Sequence, residues 1–259
     1  MMRTAVFAAS LVGAAGGSLI APALAPPPAG TRIVKVFGDL ATADRVAVIV
    51  PGADVTRATF DGGRRAWYST PGGAARALTA QMKAIDPAAR TAVVAWLGYD
   101  SPPTVSLSAA TTTAAAAGAG ELRRTVAAIR AATPAPVVLL CHSYGSVVCA
   151  RALPGLPVTD AVVVGSPGLG VRHAGELAAL GSRSRLWAGR SANDWVRFVP
   201  SVRLGALGFG ADPARPSFGA RVFATGDGGH SDYFRPGGTA LRNLALITLG
   251  RAAEVGAAR

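Results

Sequence analysis

The chain is poor in histidine, cysteine, lysine and acid. Its 259 residues hold 3 His, 2 Cys and 14 acidic residues, and Lys35 and Lys83 are its only lysines. Arginine therefore supplies nearly all of a formal net charge of +12. Each scarcity excludes something. So few histidines and cysteines leave no zinc-type spacing. The arginines stand singly or in pairs such as Arg64-Arg65 and Arg123-Arg124, with no long basic run and no aromatic RNA-stacking motif. That pattern argues against a nucleic-acid partner in spite of the basic balance. Charged residues make up only 15%, and hydrophobic residues 50%. A chain this apolar buries a sizeable core, which excludes disorder as its main state.

The first residues read as a targeting segment. Arg3 is followed by an uncharged stretch, Ala5 to Ala25, that ends in Ala21-Pro22-Ala23 and Ala23-Leu24-Ala25. Small-x-small endings of this kind mark export leaders. Cleavage after Ala23 keeps Pro26 away from the scissile bond. A retained membrane anchor over residues 1–25 is the competing reading, although so much Ala and Gly makes a weak span. Pro26-Pro27-Pro28 begins a stiff linker over residues 26–31, and residues 32–259 form one domain. The expected location is secreted or cell-envelope associated, with an arginine-rich surface suited to anionic envelope components. Export permits a disulfide between Cys141 and Cys149. However, Cys141 ends an expected strand and Cys149 lies about two turns into the following helix. Two buried free thiols are therefore the expected state.

From Thr31 onward, short β-branched runs alternate with longer stretches of helical period. The expected strands are Ile33–Phe37, Val46–Val50, Thr91–Trp96, Val137–Cys141, Ala161–Gly165, Ser184–Ala188 and Arg221–Thr225. The expected helices are Gly73–Ile85, Ala116–Ala132, Tyr144–Leu153, Ala174–Leu180 and Thr239–Arg251. This alternation predicts an α/β fold with one mostly parallel sheet covered by helices on both faces. Ligands then gather at the carboxyl ends of the strands.

One such end carries His142-Ser143-Tyr144-Gly145-Ser146. A strand, a tight turn with Ser at its apex and then a helix make a nucleophile elbow, with Cys141 where the pattern G-x-S-x-G has its first Gly. The turn pushes the serine oxygen out of the packed layer, and the helix N-terminus offers backbone N–H groups to a developing oxyanion. A serine needs a base. His142 adjoins it, and its side chain is expected to point away. His173 falls in a loop after the fifth strand, where a rim or surface role fits. His230 follows the last strand, and it is the expected base. Asp194, shortly after Ser184–Ala188, is the expected acid that orients the imidazole. Among its rivals, Asp160 precedes its strand, Asp212 reads as a turn residue and Asp227 is too near His230 in sequence. Pro51-Gly52-Ala53-Asp54 supplies the second oxyanion loop, with Ala53 and Tyr144 as the expected N–H donors. Trp67, Tyr68, Leu97 to Asp100, Tyr144 and Ser166-Pro167 are expected to line the pocket.

The chain resembles an uncharacterised family of actinobacterial α/β-hydrolases. The resemblance rests on Val50-Pro51-Gly52-Ala53, Ala95-Trp96-Leu97-Gly98-Tyr99-Asp100-Ser101-Pro102, His142-Ser143-Tyr144-Gly145-Ser146, Gly210-Ala211-Asp212-Pro213 and Gly229-His230-Ser231-Asp232-Tyr233-Phe234. It implies an α/β-hydrolase fold with Ser143 as nucleophile and His230 as base, and Asp194 corresponds by position to the acid. Sequence and resemblance together predict a serine hydrolase acting by acyl transfer, with a small-molecule or lipid-like ester as substrate and no metal or organic cofactor. A peptidase, or a binding protein on the same scaffold, is the alternative.

Overall fold

A computed structural model describes residues 32–62, 66–104, 113–204 and 207–258. The leader read over residues 1–25, Arg3 included, and the linker read over 26–31 lie outside the described residues. Among the described residues, no helix is long and apolar enough to cross a membrane.

The chain runs β1 (Ile33–Phe37), β2 (Arg45–Val50), α1 (Pro71–Ile85), β3 (Thr91–Leu97), α2 (Thr113–Ala132), β4 (Val137–His142), α3 (Gly145–Ala152), β5 (Asp160–Val164), α4 (Ala174–Ala179) and β6 (Arg185–Gly189). A two-stranded ribbon follows, β7 (Arg203–Leu204) with β8 (Leu207–Gly208), and then β9 (Arg221–Val222) and α5 (Thr239–Thr248). Seven strands form the main sheet in the order β1-β3-β2-β4-β5-β6-β9. Only β1 is antiparallel to its neighbour. Strands β2, β4 and β5 are buried almost throughout. This is why they read as unbroken apolar runs: both faces of a parallel sheet are covered.

Strand order fixes where the helices lie. The chain steps from β2 out to β3, then back past β2 to β4. Right-handed crossovers in opposite directions put α1 and α2 on opposite faces. Accordingly α1 packs with α5, and α2 with α3. Reversal of direction between β2 and β4 opens a crevice at their carboxyl ends, the usual ligand position in such a sheet.

Local boundaries have local causes. The first turn of α1 begins two residues before the expected Gly73. Thr70, buried, accepts the Gly73 N–H at 3.1 Å, and Pro71 takes the first helical position. The last sheet strand ends at Val222, three residues early, because Ala224 instead donates its N–H to Gly256 across the sheet edge.

The cysteines correct one expectation. Cys141 and Cys149 form a disulfide with their Cα atoms 6.4 Å apart, within the range a bridge spans. The free-thiol reading placed Cys149 too far along its helix. In fact α3 starts at Gly145, so Cys149 is only about one turn in. Gly145 also lets the helix approach, since a Cβ there would lie 2.4 Å from the Pro51 carbonyl oxygen.

Candidate active site

Ser143 leaves β4 with φ +53°, a left-handed conformation that a serine rarely adopts. Its backbone is held on both sides. The Ser143 N–H donates to Val164 O at 3.0 Å, and the Ser143 carbonyl accepts from Ser146 N at 2.9 Å and Ser146 Oγ at 2.6 Å. The Ser146 hydroxyl also meets Ser166 Oγ at 2.6 Å, beneath the turn. Such strain persists only where surrounding structure enforces it.

His230 reaches this serine from the loop after β9. Its Nε2 lies 2.9 Å from Ser143 Oγ, and its Nδ1 lies 2.8 Å from Asp194 Oδ1. Asp194 follows β6 and opens the short 3-10 turn Trp195–Phe198, whose Val196 N–H it accepts at 2.9 Å. Asp194 is fully buried, while the His230 side chain keeps 14% exposure. Burial alone would raise the Asp194 carboxyl. Hydrogen bonds and charge from His230, with donors Tyr233 OH and Val196 N–H, instead hold it below the ordinary aspartate range. The acid is therefore ionised where it meets the imidazole, and this arrangement can accept a proton from the serine hydroxyl and stabilise the cation that results.

The other histidines and acids go elsewhere. His173 is half exposed, at the start of α4. Asp160 is buried at the opposite end of the sheet from Ser143 and binds Arg185 and Trp187 Nε1. Asp212 binds Arg190 and the Ala214 N–H, and Asp227 is solvent-exposed beside Arg235. His142 does more than finish its strand. Its Nε2 donates to the His230 carbonyl at 2.7 Å, its ring centroid lies 4.7 Å from that of His230, and it lines the cavity. The expectation that it points away from the site is corrected. Strand alternation turns Cys141 toward α3 and its neighbour the opposite way.

The loop after β2 crosses directly over the serine. Tyr99 OH donates to Pro51 O at 2.8 Å, and Ser101 Oγ donates to Gly52 O at 2.8 Å. A trans peptide points its N–H opposite to its C=O, so these two residues turn the Ala53 N–H away from themselves. Asp54 cannot serve in its place, because its N–H donates to Pro102 O at 3.1 Å. Tyr144 is the N-cap of α3 and presents the positive end of that helix.

A cavity of about 340 Å³ opens beside Ser143 and His230. Its walls differ from those expected. Trp67, Tyr68, the Leu97–Asp100 segment, Tyr144 and Ser166-Pro167 do not line it. Trp96, Tyr99 and Tyr144 are instead buried and stack on one another. The apolar lining comes from Ile49, Val55, Pro71, Ala74 and Phe234, with Ser69, Thr70 and Thr104 as polar spots. Among the described residues, Asp54, bonded to Thr104, is the one formally charged acid that lines it, and no Lys or Arg does. Trp195, half exposed, stands at the rim with its ring centroid 4.6 Å from that of His230.

Sequence reasoning missed Trp195 and Tyr233 as parts of this site. Trp195 follows Asp194 directly and Tyr233 lies three residues after His230, but nearness along the chain says nothing of which way a ring turns. Asp232 was missed too. It accepts from Tyr68 OH at 2.9 Å and from Gly229 N at 2.8 Å, and so fastens the His230 loop to the segment before α1.

Known proteins share both sequence and shape with this chain. Rv2079, an uncharacterised protein of Mycobacterium tuberculosis, is 33% identical over 253 residues, covering 85% of this chain and 37% of that protein. The chain thus spans about a third of the length of that relative. Mb0988c of Mycobacterium bovis, also uncharacterised, is 39% identical over 90 residues, covering 33% of this chain and 34% of that one. Among solved structures, esterase PE8 has the same fold, with a TM-score of 0.52 at 17% identity over 85% of this chain and 98% of that one. The α/β hydrolase family matches residues 27–204. With the sheet order, the strained serine after β4 and that match over most of its length, the chain belongs to the α/β hydrolase family.

Proposed function

We propose that the protein is a serine hydrolase that cleaves carboxylic esters by acyl transfer. Ser143 attacks the ester carbonyl, and His230 takes its proton and returns it to the leaving alcohol. Asp194 orients the imidazole and stabilises its cation, while the N–H groups of Ala53 and Tyr144 hold the oxyanion. Water then releases the acyl group by the same steps. The observation that carries this reading is the unbroken hydrogen-bond chain from Ser143 Oγ through His230 to Asp194 at the mouth of a cavity. The modest volume favours a short acyl group.

The elbow Cys141-His142-Ser143-Tyr144-Gly145 belongs to this reading, with a bridged cysteine where a glycine is usual. That bridge suits an oxidising compartment, which agrees with export through the leader at residues 1–25. N-terminal sequencing of the mature protein tests the export reading. A start at Leu24 or Pro26 supports a removed leader, and a start at residue 1 or 2 replaces it with the retained anchor.

Short-chain p-nitrophenyl esters test the activity. The parent protein should turn them over and should take a fluorophosphonate label on Ser143. Ser143→Ala should lose kcat by several orders of magnitude and should not label. Equal hydrolysis by the variant would overturn the assignment.

A further inference from the structure

We propose that Tyr233 is a positioning residue that acts through Asp194. Its phenol holds the carboxylate oxygen that His230 does not use, and so keeps the acid ionised and oriented toward the base. The proposal rests on the reading of Ser143, His230 and Asp194 as the catalytic set.

The direction of the hydrogen bonds follows from what each group can do. The Ser191 N–H can only donate, and it donates to Tyr233 Oη at 3.1 Å. An ionised carboxylate can only accept. The phenolic proton therefore lies on the bond to Asp194 Oδ2, at 2.5 Å. The two carboxylate oxygens divide their partners. Oδ1 takes the Val196 N–H and His230 Nδ1, and Oδ2 takes Tyr233. Asp194 is 0% exposed and Tyr233 is 1% exposed. Without the phenol, Oδ2 would be a buried anionic oxygen short of a donor, a costly state that favours protonation.

The surroundings press the pair together. Burial pushes the phenol far above the usual tyrosine range, and the Asp194 charge pushes it further, so Tyr233 remains a donor wherever the enzyme would work. Gly165, with φ +56°, ends the strand beneath them. A Cβ there would lie 2.8 Å from Asp194 Oδ2 and 2.9 Å from the Tyr233 ring. Base and phenol come from one loop, three residues apart, and grip one acid by its two oxygens.

The consequence for pH has a definite sign. The Tyr233 hydrogen bond helps hold the Asp194 carboxyl low. Without it the Asp194 charge is less compensated, and the pair of acid and base takes up a proton at higher pH. Other titratable groups facing the pair remain in place without it. His142 donates to the His230 carbonyl, Asp232 is engaged by Tyr68 and Gly229, and Arg197 donates to Ala192 O. Asp54, across the cavity, is bonded to Thr104.

Tyr233→Phe keeps the ring and removes the donor. With a p-nitrophenyl ester, kcat should fall about 10- to 100-fold, the scale of one hydrogen bond to a charge. KM should change less than about twofold, and the acidic limb of kcat/KM should move to higher pH. In an Asp194→Asn background the same substitution should change kcat less than about twofold. A merely structural tyrosine would lower kcat in both backgrounds without moving the limb, and that result would overturn the proposal. Should Tyr233→Phe fail to fold, 3-fluorotyrosine in place of all four tyrosines provides a stronger donor. The limb should then move to lower pH, and an unmoved limb would overturn the proposal. The low-field proton resonance of His230 Nδ1–H at acidic pH should also shift in Tyr233→Phe. It needs no turnover, so full activity of Ser143→Ala would defeat the catalytic reading, while an unmoved resonance would defeat the role of Tyr233.

Discussion

Gly52 lies so close to Ser143 that a Cβ on it would stand 2.6 Å from the serine Cβ and 3.2 Å from its Oγ. The loop that carries Ala53 thus rests directly on the nucleophile. Close approach brings a backbone donor within reach of the reacting carbon, and only glycine permits it. Gly52→Ala should push the loop off the serine. Misplacement on the scale of 1 Å costs about 100-fold in rate, and forced packing about 1–3 kcal/mol in stability. Ester kinetics with a thermal melt checks both. Unchanged kcat/KM would mean that the 51–53 loop takes no part in the reaction.

Asp194 and Asp160 are both buried acids, yet their predicted behaviour differs. Asp194→Asn should lower kcat by about 10⁴ by setting the imidazole in the wrong tautomer. Asp160→Asn weakens a charge-assisted pair with the partly exposed Arg185 and disturbs the Trp187 Nε1 bond, far from Ser143. Its cost should be about 2 kcal/mol of stability, with kcat unchanged. Urea denaturation read beside kcat separates the two. A large kcat loss in Asp160→Asn would contradict the assignment of the acid.

Cys141 and Cys149 close a short loop that contains Ser143. Cross-linking so few residues constrains the unfolded chain by about 2–3 kcal/mol. The double variant Cys141→Ala, Cys149→Ala should lose about that much in chemical denaturation, and the parent protein should show no free thiol to a thiol reagent under denaturing conditions. Two titratable thiols in the unreduced protein would remove the bridge from the account.

Glu121 controls part of the acid stability. The Arg124 hydrogen bond lowers its carboxyl. Burial opposes this, while the Arg124 and Arg32 charges add to it, and the net result is below the usual glutamate range. A folded pKa below the unfolded one means stability that is complete above the ordinary range and lost as pH falls through the folded value. Glu121→Gln should therefore flatten the fall in Tm between about pH 5 and pH 3. Parallel curves for parent and variant would show that Glu121 adds nothing there.

Much of the fold was legible in the sequence because the parallel sheet writes itself locally. Val46–Val50, Val137–Cys141 and Ala161–Gly165 are apolar runs bounded by turn residues, and each matches an observed strand within one residue at either end. Thr70-Pro71 before α1 was equally local, a cap and a first-turn proline, but the glycines that follow hid the start of the helix. The strand end at Val222 was not local at all. It depends on a hydrogen bond from Ala224 to Gly256, more than thirty residues away.

The site divides along the same line. Scarcity settled the candidates, since three histidines leave one after the last strand, and a late Asp completes the order Ser143, Asp194, His230. Type and order along the chain are properties of sequence. Which side chains touch is not. Tyr233 meeting the second oxygen of Asp194, His142 bonding the carbonyl of His230, Cys141 reaching Cys149 and the buried stack of Tyr99 on Tyr144 all depend on rotamers and on how closely helices approach strands. Those are set by packing among elements distant in sequence, where a shift of one turn or one ångström exchanges one partner for another.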